Sequence, residues 1–197
     1  LGERLAATTG GHCPGAVFSP SGSEAIEVAL KTAIAVSGRR KVVSVHGAFH
    51  GHTALAASAA DARYHEPYRL GLEGFVHVPY DDLAAMAAAI DDETAAVILE
   101  TIPATLGMPI PADEYLPGVR ALCDARGVVL VLDEVQTGLG RSGRMWCFEH
   151  DDVRPDVVVT GKGLGGGLYP IAATMMTPEV HRFYDELIRA ARLSVRS

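Results

Sequence analysis

Nowhere is the sequence apolar for long enough to cross a bilayer, and nowhere is it basic for long enough to track a phosphate backbone. Lys and Arg number 17 against 24 Asp and Glu, a net charge of −7, so neither a membrane nor a nucleic acid is expected as a partner. Cysteine is scarce. Cys13, Cys123 and Cys147 form neither a CxxC pair nor an even framework, which excludes a disulfide scaffold and leads us to expect reduced thiols in the cytoplasm. There is no signal-peptide pattern, internal repeat, low-complexity tract or linker. A start methionine is missing as well: Leu1 and Leu5 stand at helical spacing, as though the chain opened inside a helix. At the other end Val180, Phe183, Leu187, Ile188 and Ala191 share one helical face, and the chain then stops without a cap. A fragment of a longer protein is the expectation.

The 197 residues, 48% of them hydrophobic, suffice for one domain with a sizeable core. From residue 24 onward, apolar runs alternate with helical stretches, the pattern of a mostly parallel sheet with helices on both faces. Helices are expected over E-A-I-E-V-A-L-K-T-A-I-A-V, D-D-L-A-A-M-A-A-A-I and E-Y-L-P-G-V-R-A-L-C-D-A-R, the last ending at Gly127. Strands are expected over K-V-V-S-V, F-V-H-V-P, A-A-V-I-L-E, V-V-L-V-L-D, V-V-V-T and I-A-A-T-M-M. In such an α/β sheet, ligands sit beyond the carboxyl ends of the strands. Glu100, Asp133 and the Gly161–Gly167 loop fall there.

The stretch V-V-L-V-L-D-E raises a problem of charge. Asp133 and Glu134 follow a run that a sheet buries on both faces, and an unpartnered buried carboxylate costs several kcal/mol or shifts its pKa until it neutralises. Three other segments carry polar chemistry. S-P-S-G-S-E-A-I-E, residues 19–27, opens a helix with Ser21, Gly22 and Ser23, either as an anion cradle for a phosphate or as an ordinary N-cap completed by Glu24 or Glu27. G-A-F-H-G-H-T places Phe49 where it could stack on a planar ring. His46, His50 and His52 beside it read as loop residues or, less simply, as metal ligands, although carboxylates and cysteines at ligand spacing are missing. T-G-K-G-L-G-G-G-L-Y-P holds Lys162 among glycines. It is not a nucleotide P-loop, because Gly163 follows the lysine where Ser or Thr is needed. Lys162 is either solvated or, if partly desolvated at its strand end, a nucleophilic amine with a depressed pKa.

A phosphate cradle, a stacking aromatic, a buried aspartate and a nucleophilic lysine are together the attachments that pyridoxal phosphate needs. Asp133 would face the protonated ring nitrogen, each charge compensating the other.

Taken in order, S-G-S-E-A, F-H-G, D-E-V-Q-T-G-x-G-R-x-G and K-x-L-G-G-G-x-x-P resemble the class III aminotransferases. These are pyridoxal-phosphate enzymes of fold type I, and the resemblance runs from about residue 1 to about residue 180. G-A-F-H-G, H-V-P-Y and C-F-E-H-D-D-V-R-P-D look similar to the ornithine, acetylornithine and putrescine branch. The resemblance implies a large cofactor-binding domain over 1–180, incomplete at its N-terminus, and a helical tail over 181–197 that departs from the family pattern where a small C-terminal domain is missing. It also implies site roles. Gly22 and Ser23 would hold the phosphate, with Ser21 beside them. Phe49 and Val135 would sandwich the ring, Asp133 bind its nitrogen and Gln136 its phenolic oxygen. Lys162 would form the Schiff base, His50 and Glu134 would support the site, and Glu100 and His52 would lie on the substrate side. Arg141 and Arg144 read as surface charges.

By the same resemblance, the parent protein is a homodimeric transaminase that moves an amino group from an amine or amino acid to a 2-keto acid, and this piece alone is expected to turn over little or nothing. An aminomutase or decarboxylase, a truncated non-catalytic scaffold and, more distantly, a metal hydrolase at the histidines are the alternatives. Two departures bear on specificity. His52 stands where ornithine-type members commonly carry an arginine that grips a carboxylate, and T-I-P-A-T-L-G replaces P-I-Q-G-E-x-G after Glu100.

Overall fold

In a computed structural model of the chain, residues 1–69 and 71–194 are described, with side chains to residue 187 and at 189. Seven strands form one sheet: β1 (Gly15–Ser19), β2 (Lys41–Val45), β3 (Phe75–Val78), β4 (Thr94–Leu99), β5 (Val129–Asp133), β6 (Val157–Thr160) and β7 (Ala172–Met176). Their order is β1-β7-β6-β5-β4-β2-β3. The five strands β3, β2, β4, β5 and β6 pair in parallel, while β7 runs antiparallel to both β6 and β1. Two reversals restore the original direction. β1 therefore points the same way as β6 and delivers the segment after Ser19 to the edge where β2, β4, β5 and β6 end.

All six residues of β4 and all five of β5 are buried, as their unbroken apolar sequences require of central parallel strands. Side chains alternate across the sheet, so two cores form. Val43, Val97, Leu99, Leu130 and Leu132 pack with Met86 of α4 (Leu83–Ala89) and with Leu116 and Val119 of α5 (Tyr115–Arg126). Leu5 of α1 (Gly2–Thr8) joins the same layer. On the other face Val42, Ile98, Val131 and Val159 pack against α2 (Gly22–Ser37). There Ala25, Ile26, Ala29, Leu30 and Ala33 repeat at i, i+3 and i+4 spacing and are fully buried. Burial of each Leu or Ile of this kind contributes about 1.5–3 kcal/mol.

The helices end where the sequence says they must. α2 stops at Gly38 and α5 at Gly127, both in the left-handed conformation that glycine adopts without strain. Pro117 sits in the first turn of α5, where its missing N–H has no intrahelical acceptor to lose.

Three elements differ from expectation. β1 was not anticipated: G-A-V-F-S is short and flanked by prolines, and its one partner strand lies over 150 residues away. α3 (Ala54–Ala59) was not anticipated either, since A-L-A-A-S-A has no polar face. Its free N–H groups are met from another helix. Glu27 Oε1 accepts from Leu55 N at 2.6 Å and Ala56 N at 3.3 Å, so Glu27 caps α3 while Glu24 completes the box with Ser21. The final helix α6 (Pro178–Ser194) buries Val180, but Leu187 is 52% exposed and does not join the expected face. The side chains of Ile188 and Ala191 lie outside the described residues. No helix among the described residues is long and apolar enough to cross a membrane.

Candidate active site

Parallel strands deliver their loops to one edge, and a cavity of about 370 Å³ opens there. Its walls come from the loops after β2, β4, β5 and β6 and from the start of α2. Gly22, Ser23, Phe49, His50, His52, Glu100, Asp133, Val135, Gln136 and Lys162 all line it. Sequence reasoning singled out ten of the thirteen lining residues; Gly51, Ala104 and Thr105 complete the wall.

The pair of carboxylates at the end of β5 divides between the two faces of the sheet. Asp133, 4% exposed, faces the cavity. Its Oδ2 lies 2.8 Å from His50 Nδ1, and its Oδ1 accepts from Val135 N at 3.1 Å. Glu134, 0% exposed, points the other way and meets no cation. Oε1 accepts from Phe148 N at 3.1 Å and Thr101 Oγ1 at 3.3 Å, and Oε2 from Thr137 Oγ1 at 2.7 Å and Cys147 N at 3.1 Å. Burial pushes the Glu134 carboxyl above the ordinary carboxylate range in spite of these donors. Its network ties the exit of β4 to the exit of β5 and to the turn at Cys147–His150. Those two strand exits carry Glu100 and Gln136.

Glu100 follows Leu99, which pairs in register with Leu132, so Glu100 and Asp133 are neighbours at the ends of adjacent strands. Burial raises the Glu100 carboxyl; among the remaining influences, His50 lowers it and the Asp133 charge raises it. Glu100 Oε1 accepts from Phe49 N at 3.0 Å and so holds the aromatic loop. Although placed on the cavity wall, Glu100 thereby acts on the protein backbone.

At the α2 end the chain crosses itself closely. Gly51 has φ +134°, and a Cβ there would come within 2.3 Å of Ser23 Oγ and 2.8 Å of Ser23 Cα. Ser23 Oγ accepts from His52 N at 3.1 Å. The first backbone N–H groups of α2, those of Gly22 and Ser23, have no acceptor within the helix. They line the cavity, where the dipole favours an anion. Ser21 is not brought in. Its hydroxyl accepts from Glu24 N at 3.2 Å, the plain N-cap of the two readings.

Lys162 adopts φ +40° and its Nζ donates to Gln136 Oε1 at 2.5 Å. Its side chain is exposed in this chain, where partial desolvation was expected; a glycine-rich loop offers few side chains to cover it. The histidines disperse. His50 joins Asp133, His46 stacks on His77 at 5.9 Å, and exposed His52 lies edge-on to Phe49 at 5.2 Å. Among the described residues no three His, Cys, Asp or Glu side chains gather as a metal site. Arg141 lines an adjoining hollow that shares Gln136 and Lys162 with this cavity.

The donors present match pyridoxal phosphate piece by piece: free N–H groups for an anion, an aromatic and a valine to enclose a ring, a buried carboxylate and a primary amine. Comparison with known proteins agrees. The family model of class III aminotransferases matches residues 1–187. An uncharacterized aminotransferase of Archaeoglobus fulgidus is 48% identical over 94% of this chain and 44% of its own length. The putrescine aminotransferase of Pectobacterium atrosepticum is 44% identical over 91% of this chain and 41% of its own. The crystal structure of taurine:2-oxoglutarate aminotransferase from Bifidobacterium kashiwanohense, in complex with PLP and glutamate, superposes with a TM-score of 0.81 at 27% identity, covering 94% of this chain and 48% of that one. The chain thus spans less than half the length of the curated relatives it matches.

Proposed function

The chain belongs to the class III aminotransferase family, and from that premise we propose that it moves an amino group from an amine or amino-acid donor to a 2-keto acid, using pyridoxal phosphate held by residues 1–180. A homodimer in the cytoplasm is part of the proposal; the three free, buried cysteines are in keeping with a reducing compartment. The single observation that carries the reading is that Asp133 and Lys162 flank one cavity together with the start of α2.

Bound pyridoxal phosphate supplies an electron sink for the charge left when a substrate carbon loses its proton. The residues do the rest. Gly22 and Ser23 bind the phosphate through N–H groups and the helix dipole. Phe49 and Val135 hold the ring plane and exclude water from its faces. Asp133, kept in place by His50 and by Val135 N, holds a proton on the ring nitrogen through its negative charge. Gln136 orients both the phenolic oxygen and Lys162 Nζ. Lys162 anchors the cofactor aldehyde carbon through its amine; once an incoming amine has taken its place, the freed Nζ carries a proton between the substrate carbon and the cofactor's exocyclic carbon. Ala104 and Thr105, which stand where a glutamine and a glutamate are common, leave this wall of the substrate space small and uncharged. That favours diamine and ω-amino donors over those held by a carboxylate near His52.

The test is a half-reaction. The intact protein loaded with cofactor should lose its yellow absorbance when given a diamine and regain it on addition of a keto acid such as 2-oxoglutarate or pyruvate. Turnover without any keto acid would point to the mutase or decarboxylase alternative instead.

A further inference from the structure

Phe49 is held from behind by a bracket that no family motif includes. Asp61 Oδ2 accepts from Gly47 N at 2.6 Å, and Asp61 N donates to Ala48 O at 2.9 Å. The turn at Ala62–Tyr64 is thereby locked to the loop that ends in Phe49. Tyr64 N donates back to Asp61 O at 2.9 Å. This sets the Tyr64 ring edge-on to Phe49, with centroids 4.9 Å apart and planes at 66°. Arg63 closes the outside. Its Nε lies 2.9 Å from Asp61 Oδ1, and its Cζ stands 5.5 Å over the Tyr64 ring. An exposed ion pair of this kind contributes little stability alone, but here it fixes a ring that touches the cavity wall.

We propose that Tyr64 is a positioning residue for cofactor stacking, setting the tilt at which Phe49 meets the pyridine ring. The proposal rests on the cofactor site described above. Phe49 is only half-buried, so nothing in a close-packed core selects its rotamer. Its backbone is pinned by Glu100, and its side chain is met by just two rings, Tyr64 and the exposed His52. Edge-to-face contact favours one orientation of a ring over its rotated alternatives, and an orientation fixed before binding costs no ordering when the ligand arrives. The contact is made by the ring rather than the hydroxyl, so phenylalanine at position 64 should serve as well as tyrosine.

The intact protein should be titrated with pyridoxal phosphate as wild type, Tyr64→Phe, Tyr64→Leu and Arg63→Met, with thermal melting of each cofactor-free form measured alongside. Tyr64→Leu is expected to raise the cofactor Kd roughly three- to tenfold and to weaken the visible circular dichroism of the bound ring. Tyr64→Phe should match wild type, and Arg63→Met should show a smaller change of the same sign. If Tyr64→Leu folds poorly, Arg63→Met carries the decision. Wild-type Kd and wild-type dichroism in Tyr64→Leu and Arg63→Met overturn the positioning role and leave the cofactor site standing. Wild-type protein that takes up no cofactor overturns both.

Discussion

His50 Nδ1 lies 2.8 Å from Asp133 Oδ2, and the two side chains are 0% and 6% exposed. In the cofactor-free protein His50 is the one side-chain partner described for that carboxylate. Replacing it with phenylalanine leaves a buried oxygen without its donor, at a cost of about 1–3 kcal/mol. Because the pyridine nitrogen offers Asp133 a second partner, His50→Phe should lower the melting temperature more without pyridoxal phosphate than with it. Equal shifts in both forms would separate Asp133 from the cofactor.

Glu134 and Glu100 make stability depend on pH with a definite sign. Burial raises both carboxyls in the folded chain, so the folded state binds protons more readily than the unfolded one. Their contribution is therefore fully present below the unfolded pKa and is lost as pH rises through the folded value. For Glu134→Gln, either amide orientation sets an NH₂ against an N–H donor of Cys147 or Phe148. A loss of about 1–3 kcal/mol is expected, together with a flatter dependence of unfolding free energy on pH above about 4.5. Denaturant melts of both proteins across that range measure it.

Gly51→Ala should dismantle the anion cradle. The added methyl meets Ser23 Oγ at 2.3 Å and must also adopt φ +134°. Displacement of the 49–52 loop is expected to cost about 1–3 kcal/mol. Binding of free inorganic phosphate should weaken along with cofactor binding, and isothermal titration with each ligand checks this.

The cysteines are predicted to be inert. Burial, with the Asp156 charge adding to it, pushes the Cys13 thiol up to about 12. Burial likewise pushes Cys123 to about 12, partly opposed by Arg120, and burial raises Cys147 too. With almost no thiolate at pH 8, a disulfide reagent should label none of them in the native protein and all three in denaturant.

Much of this architecture is legible residue by residue. The buried strands declare themselves through unbroken apolar runs, and α2 and α5 through their spacing and terminal glycines. Asp133 declared itself as a charge out of place. What escaped depends on contacts between distant residues. β1 forms because β7 pairs with it, and α3 because Glu27 reaches across from α2. Asp61, Tyr64 and Thr105 carry no local signal of their part in the site; Thr105, for instance, donates to Gly47 O at 2.6 Å from a loop nearly sixty residues away. Ser21 shows the opposite error: a motif residue absorbed by the helix cap beside the site.

The central claim is that the amine of Lys162 and the carboxylate of Asp133 serve one bound ring. Borohydride reduction of the intact, cofactor-loaded protein, followed by peptide mapping, tests it most directly. The account predicts a stable pyridoxyl adduct on Lys162, and its loss in Lys162→Ala. An adduct on any other lysine, or one of undiminished yield in Lys162→Ala, would contradict it.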